Sequence, residues 1–192
     1  LYFRRVLVRS LLTQEPVTLN NLPDIRDVNK LIDLLESMGT RITRHNPSSC
    51  TFQTKGIREE YFRTDDFRQK AGSLRGSIMT LGPLLGRFGQ GIAFIPGGDK
   101  IGRRRLDTHF NGLRKLGASF RYDEQYLIFI SSVDSLTGNY MLLDEASVTG
   151  TANIVMAAVL AKGETTIFNA ACEPYVAQLC RMLVAMGADI EG

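Results

Sequence analysis

The 192-residue sequence predicts an α/β fold in which one structural unit is used three times. Three amphipathic segments, at 31–38, 113–116 and 182–186, end in a Leu-Gly or Met-Gly pair, and an apolar residue stands three positions after each glycine. Strand-like segments begin at equivalent positions, 17, 92 and 166, which are 75 and 74 residues apart. Such a repeat favours three units packed as one domain. Solenoid stacking is the structural alternative.

Each unit begins with a helix and a short strand. We predict the helices at 6–12, 77–85 and 152–160 and the strands at 17–20, 92–95 and 165–169. The second and third of these helices are apolar nearly all round, which predicts that they are buried inside the domain.

Each unit then continues through an amphipathic helix, a glycine and a second strand. Gly39, Gly117 and Gly187 are predicted to be left-handed at the helix ends, because glycine adopts a positive φ at little steric cost. Further strands are predicted at 126–130 and 140–143, with a hairpin turn at 122–125.

Composition and charge are those of an ordinary soluble protein, with 44% hydrophobic and 22% charged residues. The net charge of +3 is too small to indicate binding to nucleic acid or a membrane. No apolar run reaches the roughly 18 residues of a membrane span, and no signal peptide is visible.

The three cysteines, Cys50, Cys172 and Cys180, fit neither a disulfide framework nor a zinc site. They indicate a reducing, cytoplasmic compartment. The chain begins at Leu1, already inside an apolar pattern, so we expect it to be a piece of a longer protein.

The loop at 96–105, with the sequence PGGDKIGRRR, is the most informative segment. Its three glycines and one proline predict a loop with exposed backbone, and four cations stand between positions 100 and 105. Asp99 lies beside these cations and is the candidate acid or base for transfer chemistry on a small anionic substrate. The alternative is a solvated basic turn.

These residues resemble the enolpyruvyl transferase family over essentially the whole chain. The matching segments are 74–78 with 81–89, the loop at 96–105 followed by Leu106-Asp107-Thr108-His109, the pair Ser147-Val148, and 169–174. The resemblance implies that residues 1–192 are one of the two family domains. It further implies an inside-out α/β barrel of three βαβαββ repeats, with helices inside and sheets outside. The second domain and an N-terminal Lys-Asn pair that binds substrate are expected to be absent.

The sugar-nucleotide branch of the family is the nearest match. The resemblance implies transfer of an enolpyruvyl group from phosphoenolpyruvate to the 3-hydroxyl of UDP-N-acetylglucosamine, with release of phosphate. This step begins peptidoglycan synthesis, on which the cell wall, cell shape and cell division depend. No metal or cofactor is expected, and the partners are the two small-molecule substrates and the second domain, without nucleic acid or membrane.

Two alternatives stay open at this point. One is a transferase similar to 5-enolpyruvylshikimate-3-phosphate synthase, and the other is a non-catalytic module that binds a sugar nucleotide. Because the family cleft forms between two domains, the isolated chain is expected to be inactive.

The resemblance assigns phosphoenolpyruvate binding to Arg75 and Arg104, with surface ion pairing as the alternative for each. Asp99 stands where many members carry a cysteine that acts as an acid. A carboxylate is a much poorer nucleophile than a thiolate, so we expect insensitivity to fosfomycin, which alkylates that thiol.

The resemblance also predicts a nucleotide site from Arg104, Leu106, Asp107, Thr108, His109, Ser147 and Val148. Backbone amides at a helix start hold phosphate well. His109 has the alternative of a surface or capping residue. Glu145 and Thr149 replace a family lysine and glycine, and the carboxylate of Glu145 would repel a diphosphate.

Overall fold

The computed structural model describes residues 7–94, 105–124 and 128–192, and it confirms the α/β fold. In these ranges the α-helices are α1 (Arg26–Met38), α2 (Asp65–Gly72), α3 (Leu81–Phe88), α4 (Asp107–Lys115), α5 (Val148–Ala158) and α6 (Pro174–Ala185). The strands are β1 (Val17–Leu19), β2 (Arg41–Asn46), β3 (Ser49–Gln53), β4 (Gln90–Phe94), β5 (Ser119–Asp123), β6 (Ile128–Ser132), β7 (Tyr140–Leu142) and β8 (Thr166–Phe168). Short 3-10 helices span Val8–Leu12, Glu59–Arg63 and Arg75–Thr80.

The described sheets have the strand orders β1–β3–β2, β4–β6–β5 and β7–β8. The chain divides into two compact units. The first comprises Leu1–Thr80, Ile92–Asp99 and Tyr122–Ile130, and the second comprises Leu81–Gly91, Lys100–Arg121 and Ser131–Gly192.

In the first unit, helix α1 carries an apolar stripe and contacts α2 and the 3-10 helices Glu59–Arg63 and Arg75–Thr80, beside an antiparallel sheet β1–β3–β2 in the same unit. Leu31, Leu35 and Met38 are fully buried, because positions i, i+4 and i+7 share one helix face. Thr64 caps the start of α2, where its hydroxyl accepts a hydrogen bond from the backbone N–H of Phe67 at 3.2 Å.

The predicted left-handed glycines are confirmed at all three helix ends. Gly39, Gly117 and Gly187 have φ values of 115°, 103° and 100°. Strands β2 and β5 follow the first two glycines, as predicted. The strand predicted after Gly187 is wrong, since residues 188–192 form none. An extended segment becomes a strand only where a neighbour supplies hydrogen-bond partners, and no described strand pairs with these residues.

Two further sequence predictions need correction. The helix predicted at 77–85 is divided into the 3-10 helix Arg75–Thr80 and the α-helix α3. The hydroxyl of Thr80 bonds back to the carbonyl three residues earlier, at 2.8 Å, and Pro83 needs a position in a first helical turn, where no N–H is required. The hairpin turn predicted at 122–125 is wrong at its first two residues, because β5 extends to Asp123, and residues 125–127 lie outside the described ranges.

Helix α5 is the core of the second unit. It contacts α3, α4 and α6, and Ala152, Ile154, Met156 and Ala157 are fully buried. This confirms the prediction of a buried third helix, which the sequence placed at 152–160. Strands β7 and β8 run parallel beside each other, with Met141 opposite Ile167.

Close packing between α3 and α5 depends on Gly82. A Cβ atom there would overlap the backbone carbonyl oxygen of Asn153, which cannot move aside without moving the helix. We therefore expect Gly82→Ala to lower the free energy of unfolding by about 1–3 kcal/mol, as overpacked cores do. Urea denaturation of the chain measures this change.

Gly72→Ala is the matched control, because Gly72 is also helical and a Cβ there would meet nothing within 4 Å. Alanine has the higher helix propensity, so this substitution is expected to be neutral or slightly stabilising. Equal unfolding midpoints for the two variants would contradict the packing account.

Candidate functional site

The predicted nucleotide residues cluster at two helix starts in the second unit. Leu106, Asp107, Thr108 and His109 form the beginning of α4, and Ser147 and Val148 form the beginning of α5. Arg75 is half-buried at the start of its 3-10 helix in the first unit. Asp99 and Arg104 lie outside the described residues.

The starts of α4 and α5 lie against each other because Gly150 has no side chain. A Cβ atom at Gly150 would lie 2.9 Å from the Cγ2 atom of Thr108 and 3.0 Å from the Oγ atom of Ser147. Further along the same pair of helices, a Cβ atom at Gly112 would overlap the side chain of Ile154. Small residues thus bring the two helix starts, and the residues predicted there, side by side.

Ser147 is the N-cap of α5. Its hydroxyl oxygen accepts a hydrogen bond from the backbone N–H of Gly150 at 3.2 Å. Val148 is the first helical residue and, like Ser147, is half-buried. The first-turn N–H groups of an α-helix and its dipole favour an anion at this end.

Carboxylates surround the start of α4. The Nε atom of Arg105 donates to Asp107 at 2.8 Å, and its Nη2 atom lies 4.0 Å from a carboxylate oxygen of Asp144. The hydrogen bond that Arg105 donates to Asp107 and the negative charge of Asp107, followed by smaller effects of Asp144 and Glu145, raise the pKa of Arg105 above its ordinary value. The hydroxyl of Thr108 donates to the other oxygen of Asp144 at 2.7 Å.

Three carboxylates, those of Asp107, Asp144 and Glu145, therefore lie around the guanidinium of Arg105. Their negative charge repels a dianionic ligand unless cations offset it. The three cations between positions 100 and 104 precede Arg105 directly in the sequence and lie outside the described residues.

A cleft of about 380 Å³ lies beside the Thr108–Asp144 hydrogen bond. Its lining includes Asn111, Lys115 and Leu142, and the Nζ atom of Lys115 donates to the carbonyl of Leu142 at 3.4 Å. The volume lies within the range of small-molecule sites. A larger cleft, of about 550 Å³, lies near the C-terminal end of α3 and contains none of the predicted site residues.

His109 belongs to a buried hydrogen-bond network. It is 1% exposed, so its alternative interpretation as a surface residue is wrong. Its Nδ1 atom lies 3.0 Å from the Nδ2 atom of Asn153, and its Nε2 atom lies 3.1 Å from the Oγ1 atom of Thr149. The Oδ1 atom of Asn153 accepts from the backbone N–H of Gly82 at 2.7 Å. The network joins α3, α4 and α5.

The sequence model of the EPSP synthase (3-phosphoshikimate 1-carboxyvinyltransferase) family matches residues 3–192. The chain belongs to this family. The resemblance to enolpyruvyl transferases stated from the sequence is thereby confirmed.

Curated relatives carry the name UDP-N-acetylglucosamine 1-carboxyvinyltransferase. The protein of Bacteroides thetaiotaomicron is 57% identical over 188 residues, which is 98% of this chain and 43% of that protein. The protein of Borreliella burgdorferi is 46% identical over 186 residues, which is 97% of this chain and 42% of that protein. The chain therefore spans less than half the length of these relatives.

Solved structures show the same fold. The enolpyruvyl transferase NikO from Streptomyces tendae has a TM-score of 0.80 at 17% identity and covers 100% of this chain and 44% of its own. EPSP synthase from Acinetobacter baumannii has a TM-score of 0.72 at 18% identity, with 100% of this chain and 42% of its own covered.

Sequence reasoning missed two contributors to the site of this EPSP synthase-family chain. Asn153 stands alone in an apolar helical segment, and such an isolated amide indicates a buried group with hydrogen-bond partners. Asp144 lies two residues after the end of β7, and polar residues near strand ends commonly line sites in α/β folds.

Other classes of site find no support in the part of the chain that the structure describes. No three His, Cys, Asp or Glu side chains there are grouped as a metal centre would require. None of the helices in these ranges has the length and apolar character needed to cross a membrane.

Proposed function

We propose that this chain is part of an enzyme that transfers the enolpyruvyl group of phosphoenolpyruvate to the 3-hydroxyl of UDP-N-acetylglucosamine, with release of phosphate. The observation that carries the proposal is the 57% identity, over 98% of the chain, to the Bacteroides thetaiotaomicron protein of that name. The first committed step of peptidoglycan synthesis, and with it a part in cell-wall formation, follows from this assignment.

Asp99, Arg75 and Arg104 are proposed to act on phosphoenolpyruvate. Asp99 delivers a proton to the methylene carbon of phosphoenolpyruvate as the sugar oxygen adds to the neighbouring carbon. It takes a proton back from that methylene carbon as the bond to phosphate breaks, with the hydroxyl proton leaving on the phosphate. A positioned carboxyl group can fill this role. Arg75 and Arg104 hold the carboxylate and phosphate groups, because guanidinium groups match such anions with paired hydrogen bonds.

The nucleotide is proposed to bind along the starts of α4 and α5. The proposed contacts are Arg104, Leu106, Asp107, Ser147 and Val148, together with Thr108 and His109, which are 2% and 1% exposed and act through the residues around them. Support comes from the close approach of the two helix starts at Gly150 and from the cleft of about 380 Å³ beside them. Since three carboxylates lie around Arg105, the loop cations between 100 and 104 would supply the charge that a diphosphate requires.

The surrounding architecture is proposed to be a single domain at 1–192, an inside-out barrel of three βαβαββ repeats. The burial of α5 among α3, α4 and α6 supports helices on the inside. The partner is a second domain of the longer protein, without which we expect no turnover. The three cysteines are free, which supports a reducing cytoplasmic location.

Phosphate release from phosphoenolpyruvate by the full-length protein tests the proposal. Release is expected with UDP-N-acetylglucosamine as acceptor and only at background with shikimate 3-phosphate. The reverse result would favour the second candidate, a shikimate-branch transferase, which the description of the matching family names. This chain alone is expected to release none with either acceptor, and release by the chain alone would contradict the need for a second domain.

A further inference from the structure

One donor, the backbone N–H of Gly82, determines which atom donates in each hydrogen bond of the buried network at His109. The backbone N–H of Gly82 can only donate, so the atom of Asn153 that faces it at 2.7 Å must be the carbonyl oxygen Oδ1. The amide nitrogen Nδ2 then faces the Nδ1 atom of His109 at 3.0 Å. Because an amide nitrogen only donates, this Nδ1 atom must accept and carries no proton.

The remaining ring nitrogen of His109 then has to be a donor. A neutral imidazole without a proton on Nδ1 carries it on Nε2. That N–H group lies 3.1 Å from Thr149 and donates to its Oγ1 atom. The hydroxyl hydrogen of Thr149 is left to point elsewhere, and among the described residues no group accepts it.

We infer that Asn153 is a positioning residue, which holds His109 as the neutral Nε2–H tautomer and thereby makes the hydroxyl of Thr149 a hydrogen-bond donor. Asn153 is 0% exposed and cannot touch a ligand itself. It acts through His109, and its orientation is in turn set by Gly82. Thr149, which replaces a family glycine, then adds a hydrogen-bond donor beside Ser147. From the sequence alone, this replacement suggested a weaker nucleotide site.

The proton states can be observed without any assay of turnover. Nitrogen-15 NMR of the full-length protein with labelled histidine distinguishes the two tautomers, and His109→Gln assigns the signals. We expect an unprotonated Nδ1 and a protonated Nε2 at His109. A protonated Nδ1 would overturn the inference.

Asn153→Asp changes only one of the two contacts of residue 153. The carboxylate still offers an acceptor to the N–H group of Gly82, but it has no N–H group to donate to His109. We expect the Nδ1 atom of His109 to become protonated, since a carboxylate favours a proton there. Asn111→Asp is the control on exposed surface of α4, where Asn111 accepts from Arg114 at 3.4 Å, and it should leave the His109 signals unchanged. Retention of the parent tautomer in Asn153→Asp would overturn the inference.

A second variant leaves Asn153 in place and removes only the hydroxyl. Thr149→Val is expected to raise KM for UDP-N-acetylglucosamine by about tenfold, the value of one hydrogen bond to a charged group, with KM for phosphoenolpyruvate unchanged. Thr149→Ser should restore the parent value. An unchanged KM in Thr149→Val would show that the hydroxyl donates to no substrate and would overturn that step.

The KM measurement on the Thr149 variants rests on the proposed function, whereas the NMR measurement of the His109 tautomer does not. Turnover with shikimate 3-phosphate alone would refute the proposed acceptor and leave the tautomer measurement valid. The two failures are therefore distinguishable.

Discussion

Replacement of Asp99 by alanine in the full-length protein is expected to lower kcat by about 10²–10⁴-fold, the usual loss when a positioned acid or base is removed. Alanine cannot deliver a proton to phosphoenolpyruvate, whereas the neighbouring cations that are proposed to bind the substrate are retained in the sequence. KM for phosphoenolpyruvate should change far less than kcat. Steady-state phosphate release with UDP-N-acetylglucosamine measures both parameters.

Asp65→Ala is the matched control for this experiment. Its side chain is 96% exposed and pairs only loosely with Arg68, at 3.5 Å on the surface of α2. Such a pair contributes little, so parent-like kcat is expected. Parent-like kcat in Asp99→Ala would show that residue 99 has no part in proton transfer.

Fosfomycin is expected to leave the full-length parent protein active and to inactivate an Asp99→Cys variant in a time-dependent manner. A thiolate at position 99 opens the epoxide ring of the inhibitor and is alkylated, whereas a carboxylate is a much poorer nucleophile. Residual activity after preincubation with fosfomycin, compared over time for the two proteins, measures the difference.

The natural cysteines provide an internal control, because Cys172 is exposed and both proteins contain it. Mass spectrometry of the treated variant should locate the adduct at position 99 and leave Cys50, Cys172 and Cys180 unmodified. Time-dependent loss of activity in the parent, with an adduct at Asp99, would contradict the prediction.

Much of the fold could be predicted because it depends on residues that are adjacent in the sequence. Gly39, Gly117 and Gly187 were predictable because a left-handed helix end depends on a few adjacent residues. The strand after Gly187 was not, since pairing depends on residues distant in the sequence. The division of the helix at 77–85 depends on hydroxyl-to-backbone bonds such as that of Thr80, which compete with regular helical bonding.

The candidate site was only partly predictable for the same reason. The helix-start residues from Leu106 to His109 and the Ser147-Val148 pair could be identified because each stands in a short motif. The contact of Thr108 with Asp144 joins residues 36 apart, and that of His109 with Asn153 joins residues 44 apart. Such pairs follow from the packing of α4 on α5, which no local motif encodes.

Carbon-13 NMR of the product determines which oxygen atom receives the enolpyruvyl group. The full-length protein would be incubated with carbon-13-labelled phosphoenolpyruvate and UDP-N-acetylglucosamine. We predict a labelled vinyl ether on the 3-oxygen of the sugar, with one phosphate released for each ether formed. Label that stays in phosphoenolpyruvate, or that appears only in an adduct of shikimate 3-phosphate when that acceptor is supplied, would contradict the account.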